Sequence, residues 1–274
     1  MPSYSSFAVI GAGTLGGHIL AALAAQPSVK VILLSRTASK KVPENVQVVQ
    51  VPSYDDVPAV TAALKSHNVE QAHIKLFVPS EFGSSTEGHT EGPLAEKNRI
   101  IEKLQSVGVP YLRMFVSASV LCLLSDPDVN QTGLFIEFAP WVVNYNPEAK
   151  KLYVIGKSEG PVSVTSISDA AGYLAHVLTH QPRSTLKNQI LRIEGQRIAG
   201  YRSLGSLFGA EVETVETMEG EMPGFKAFLM SLADQGQATS GHGAKGVSDE
   251  EASKSGIALW AGHQWKTVQD VYGL

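Results

Sequence analysis

Gly11-Ala12-Gly13-Thr14-Leu15-Gly16 sets three glycines at the spacing that cradles a pyrophosphate. The run follows the apolar stretch Phe7-Ala8-Val9-Ile10 and opens a helical pattern, which is the setting in which the G-x-G-x-x-G spacing is informative. Glycine there permits a tight turn, lets the backbone approach the anion, and lets helix and strand pack closely. The helix start adds free N–H groups. Gly11, Gly13, Thr14, Leu15 and Gly16 are therefore candidate dinucleotide contacts.

The second strand decides which dinucleotide. A site that takes NAD normally carries an acidic residue about 20 positions after the glycine turn, to accept from the ribose hydroxyls. This chain has Ser35-Arg36, with Thr37, Lys40 and Lys41 close behind and no carboxylate before Glu44. A guanidinium pairs with a 2′-phosphate through charge-assisted hydrogen bonds, so Ser35, Arg36 and Lys40 point to NADP(H). Lys40 and Lys41 taken singly also fit an ordinary solvated loop.

A third group lies at Phe77-Val78-Pro79-Ser80-Glu81-Phe82-Gly83, with Lys97 following. His73 to Val78 reads as a short buried strand that Pro79 terminates, because proline cannot donate to the ladder. That leaves Ser80, Glu81 and Phe82 at a strand's carboxyl end, where open parallel sheets hold ligands. Ser80 and Glu81 equally suit a role in fixing the turn through backbone N–H groups. Lys97, in Glu96-Lys97-Asn98-Arg99, fits an exposed helical charge; facing a cleft, it would be an amine whose pKa burial and neighbouring charge can lower toward neutrality. His89 reads as a solvated loop residue. The eight histidines, one cysteine and the carboxylates form no metal set by spacing.

These groups need a framework. Strands are expected near 7–10, 30–34, 46–51, 74–78 and 111–115, and helices near 14–26, 55–67 and 92–107. That alternation implies a parallel sheet covered by helices. Beyond about residue 117 the pattern becomes mixed, with a strand at 162–167, a helix at 170–179 capped by Ser168-Asp169, and a Gly/Ser-rich segment, 234–256, expected as a mobile surface loop. The chain divides into a dinucleotide-binding part, 1–116, and a substrate-binding part, 117–274, some of which returns to the first.

With 274 residues, 43% hydrophobic and 18% charged, the chain can bury a full core. Its net charge of −4 and lack of a polybasic run argue against nucleic acid or anionic membrane and for a small-molecule partner. Lone Cys122, in an apolar run, reads as a buried structural thiol. The start lacks the charged region and cleavage pattern of a signal peptide, and a soluble, cytoplasmic protein is expected.

Together the glycine turn, Arg36, the Pro79-Ser80-Glu81-Phe82-Gly83 turn and Lys97 resemble the NmrA-like and isoflavone-reductase-like branch of the atypical short-chain dehydrogenases. The proline-to-glycine turn is the most specific element, and weaker matches run through Ile155-Gly156-Lys157, the Asp169 helix, 182–188 and 265–272. The resemblance implies a Rossmann-like, doubly wound α/β fold with a smaller mixed α/β substrate lobe. It also implies hydride transfer from NADPH to a small, aromatic or conjugated substrate, with Lys97 as the acid/base and substrate-orienting group. The regulatory branch implies the alternative of an NADP(H) sensor without turnover, working through a partner protein.

One departure matters. Relatives insert a further strand, turn and helix where this chain has only residues 65–72 between helix and strand, so the sheet is expected to be one strand smaller. The expected remedy is that strand 74–78 moves beside strand 7–10, because a gap would leave backbone groups unpaired inside the core. Impaired cofactor binding in a shortened paralogue is the third reading.

Overall fold

The computed structural model describes residues 3–38, 41–67, 74–83, 85–116 and 135–274. Lys40 and Cys122 lie outside them. The first part runs β1 (Ser6–Ile10), α1 (Thr14–Ala24), β2 (Lys30–Ser35), β3 (Val46–Gln50), α2 (Val57–Ser66), α3 (Gly92–Ser106) and β4 (Leu112–Phe115). After it come α4 (Ala139–Val142), β5 (Lys151–Val154), β6 (Val162–Val164), α5 (Ile167–His180), α6 (Arg183–Leu186), β7 (Gln189–Arg192), β8 (Gln196–Ile198), α7 (Leu204–Phe208), β9 (Glu211–Thr214), α8 (Pro223–Asp234), α9 (Asp249–Ser253) and α10 (Val268–Tyr272).

β1, β2 and β3 form a parallel sheet with β2 in the centre, and β4 pairs in parallel with β7. β2 reads Val-Ile-Leu-Leu because both of its faces are covered, as parallel strands require. Val31 and Leu33 point into the core shared with α1 and α5, and Ile32 and Leu34 into the one shared with Ala63 of α2. Helices thus cover both faces. Leu15, Ile19 and Leu23 of α1 meet Ala170, Ala171, Leu174 and Leu178 of α5, and Tyr4 N–H donates to Leu178 O (3.1 Å). A second core gathers Val154, Val162, Tyr201, Leu229 and Met230 among its members.

The expected move of strand 74–78 does not occur. That segment makes a single parallel bridge, Phe77 to Tyr111, with Phe77 N–H donating to Pro110 O (2.8 Å) and Phe77 O accepting from Leu112 N–H (2.9 Å). It stays beside β4, and among the described residues β1 pairs only with β2. The cause is a buried ion pair. Arg113 of β4 holds Glu81 through two bonds, Nε to Oε2 (2.7 Å) and Nη2 to Oε1 (2.9 Å), and moving the strand would strand both charges. The resulting gap costs less than a dry one would, because β1 is only half buried and Ile10 and Ile74 are 49% and 46% exposed.

Segment 234–256 also differs from its expectation as a mobile loop. Ala238, Thr239 and Ser240 are fully buried, with Ser163 N–H donating to Ala238 O (3.0 Å) and Ser240 N–H to Ser163 Oγ (3.1 Å). Asp249 takes Arg197 (2.8 Å), which also meets Glu194. Small side chains there serve close packing: a Cβ at Gly241 would lie 2.1 Å from Asp249 O. No helix among the described residues is long and apolar enough to cross a membrane.

Candidate functional site

The glycine turn is built as its spacing requires. Gly11 has φ of +79°, open to glycine, and its N–H donates to Leu34 O (3.0 Å), which ties the turn to β2. A Cβ on Gly16 would lie 2.5 Å from Gly11 O, so only glycine lets α1 begin this close to the strand. Gly13 caps α1 with no side-chain hydrogen bond, so the first N–H groups of an 11-residue helix are left to a ligand. Thr14 is exposed at that end, whereas the Leu15 side chain is buried in the core and offers only its backbone.

At the carboxyl end of β2, Ser35 Oγ accepts from Thr37 N–H (3.2 Å) and shapes the turn that presents exposed Arg36. The guanidinium lies over the Tyr54 ring, 5.5 Å from its centroid, and Arg36 O accepts from Gln50 Nε2 (3.1 Å). Tyr54 also reaches the glycine turn: a Cβ on Gly11 would be 3.8 Å from its hydroxyl. Tyr54 and Gln50 escaped the sequence reading. Their only signal was position, at and just after the end of the third strand.

The second turn is held from beneath. Glu81 is buried, and besides Arg113 it accepts from the Thr86 hydroxyl (2.7 Å); Asn98 Oδ1 takes Arg113 Nη2 (3.0 Å), and Asn98 Nδ2 donates to Thr86 O (2.6 Å) and His89 O (2.9 Å). Glu81 therefore fixes the turn rather than facing a ligand. Lys97, one residue before Asn98 on α3, donates from Nζ to Ser80 O (2.5 Å). Burial and the nearby His242 hold His89 below its ordinary pKa, where segment 234–256 meets the turn.

Both turns open on one cavity of about 480 Å³. Gly11, Gly13, Thr14, Leu15 and Gly16 line one side, Ser80 and Phe82 the other, with β1 and residues 74–78 between them. Arg36, Ser35 and Lys97 are not in its wall. Ser35 and Arg36 stand at the end of β2 next to the glycine turn, and Lys97 stands behind Ser80. The arrangement can hold a pyrophosphate on α1, a charged phosphate at Arg36, and an amine at the far turn.

No family model matches the sequence, and no curated protein does. Solved structures do share the fold. AtPrR2 with NADP+ and (+)-pinoresinol aligns at a TM-score of 0.65 and 16% identity, covering 99% of this chain and 98% of that one. Leucoanthocyanidin reductase from Vitis vinifera, in its binary complex with NADPH, aligns at 0.64 and 14%, covering 98% of each chain. A nucleoside-diphosphate-sugar epimerase from Staphylococcus aureus aligns at 0.63 and 15%, over 98% and 99%.

Proposed function

We propose that this chain is an NADPH-dependent reductase of a small aromatic or conjugated substrate. The observation that carries the reading is that the glycine turn and the Ser80–Phe82 turn line a single cavity, with Lys97 bound to the second of them. Gly11, Gly13 and Gly16, with the N–H groups of Thr14 and Leu15, would hold the pyrophosphate. Arg36, backed by the Tyr54 ring, would meet the 2′-phosphate, with Ser35 shaping its turn and Lys40 adding charge. Phe82 and Ser80 would border the nicotinamide half. Alignment with structures carrying NADP+ and NADPH agrees with that choice.

NADPH, when bound, supplies the hydride. Lys97 supplies the proton side: its Nζ is bonded to Ser80 O behind the cavity wall, and by swinging past Ser80 the ammonium would orient and protonate the substrate atom that gains negative charge. The Glu81–Arg113 pair keeps Ser80 O, and hence Nζ, in place. Lys97→Met is expected to abolish substrate-dependent loss of NADPH absorbance while the NADPH Kd stays within about threefold. Unchanged turnover would remove Lys97 from the mechanism.

One observation favours a second reading, an NADP(H) sensor without turnover: the Lys97 ammonium is held by a backbone carbonyl and lies outside the cavity wall. Tight NADPH binding with no oxidation in single-turnover trials across conjugated enones, aryl ethers and flavonoid-type substrates would select it.

A further inference from the structure

The β4–β7 pair carries two arginines on one face. Phe115 stands opposite Arg192 in the register and Arg113 lies two residues before Phe115, so these three side chains share the face turned away from the core that Leu112, Met114, Leu191 and Ile193 enter. Both guanidiniums lie over the Phe115 ring, 5.1 and 5.2 Å from its centroid. Arg192 is the last residue of β7, at the carboxyl end of parallel strands, where open sheets take ligands.

The two guanidinium edges are filled differently. Arg113 gives Nε and Nη2 to the two oxygens of Glu81, the side-on pairing in which one edge takes a whole carboxylate. Arg192 uses only Nη2 of the same edge, on Glu87 Oε2, and its Nε is buried with no hydrogen-bond partner among the described residues. The Arg192 side chain is 8% exposed, so this donor has lost water and gained no acceptor. Its cover is Glu87, a partly exposed side chain on the loop between Ser85 and His89, whose rotation outward leaves the Glu81–Arg113 pair untouched.

We propose that Arg192 is the binding residue of a site for a small carboxylic acid, whose carboxylate takes Nε and Nη2 together and turns Glu87 out to solvent. The protein's own side chains identify the chemistry of the ligand: one carboxylate fills the edge of Arg113, and another half fills that of Arg192. A flat anion with two oxygens on one carbon satisfies both donors at once. Fully buried Phe115 under the guanidinium keeps water from the pair, which strengthens its hydrogen bonds. Arg192 and Glu87 are not in the wall of the cavity given to the dinucleotide, so the assignment is independent of the proposed reductase activity.

The test uses the full chain with benzoate as probe and with benzamide and sulfate as controls at matched ionic strength. Wild type is expected to bind benzoate saturably, with the Arg192 Nε–H proton resonance moving downfield, and not to bind benzamide. Glu87→Ala removes the internal competitor, so its benzoate Kd should fall at least about tenfold and benzoate should raise its Tm. Arg192→Lys keeps the charge and loses the planar edge, and should bind at least about tenfold more weakly than wild type. An Arg192 Nε–H resonance that benzoate leaves unmoved in wild type would overturn the proposal, and it decides alone if Glu87→Ala does not fold. Benzoate affinity unchanged in Glu87→Ala would overturn it too. So would sulfate raising the Tm of Glu87→Ala as much as benzoate does, because the arginine would then lack only a counter-charge.

Discussion

Replacing Glu81 by glutamine keeps the shape of the buried side chain and removes its charge. Arg113 is then left with a guanidinium whose side chain is 7% exposed, opposite an amide where a carboxylate exposed by only 1% had been. Thr86 and Asn98 still accept from it, so its hydrogen bonds survive in part, but the charge is uncompensated. Removing one partner of such a pair costs about 3–5 kcal/mol. At about 2–4 °C per kcal/mol for a chain of this size, E81Q should lower Tm by roughly 6–20 °C. The double variant Glu81→Gln with Arg113→Met removes the stranded charge and should recover at least about 1 kcal/mol of that loss. Urea unfolding of wild type, both single variants and the double variant closes the cycle, and the coupling should be several times that of an exposed pair. A loss under about 1 kcal/mol in E81Q, or strictly additive single variants, would refute the claim that this pair holds residues 74–83 against β4.

Three further outcomes are expected. Gly16→Ala places a methyl group 2.5 Å from Gly11 O, a backbone atom that has to give way, so calorimetric titration should show at least about a hundredfold loss of NADPH affinity together with a lowered Tm. Arg36→Ala should raise the NADPH Kd tenfold or more and leave the NADH Kd within about twofold; equal effects on both would refute a 2′-phosphate contact. His176 stacks on Trp260 (5.4 Å) and His180 (4.2 Å), and burial followed by His180 holds its pKa below 6.5, so the fold favours its neutral form. Its contribution to stability is therefore complete above pH 6.5 and is lost as the pH falls through the lowered folded value. The fall in Tm between pH 7 and pH 5 should be shallower in His176→Gln than in wild type.

The parts legible from sequence are those that neighbouring residues determine. The glycine turn, the three strands of the first sheet and helices α1, α2 and α3 follow from local periodicity, and they lie within a few residues of where that periodicity puts them. The place of residues 74–78 depended instead on Arg113, 32 positions from Glu81 in the chain. Arg113 did leave a signal: a charge inside the apolar run Leu112–Phe115 needs a buried carboxylate, and Glu81 stood at the turn. Segment 234–256 was misread because small polar residues suit both a free loop and a close-packed one. Ser163 and Glu194, which decide between these, sit on other elements. Tyr54 gave no periodic signal, because it lies past the end of β3 and its partner Arg36 lies in the turn after β2.

The packing of α1 against α5 bears on the order in which the chain can fold during synthesis. The face of α1 formed by Leu15, Ile19 and Leu23 is covered by residues 170–178, and Tyr4 hangs its backbone on Leu178. The anion-binding end of α1 is therefore made early but secured late, after some 180 residues have left the ribosome. Until then a nascent chain carries the complete glycine sequence with a bare hydrophobic helix behind it, a species that suits chaperones rather than nucleotides.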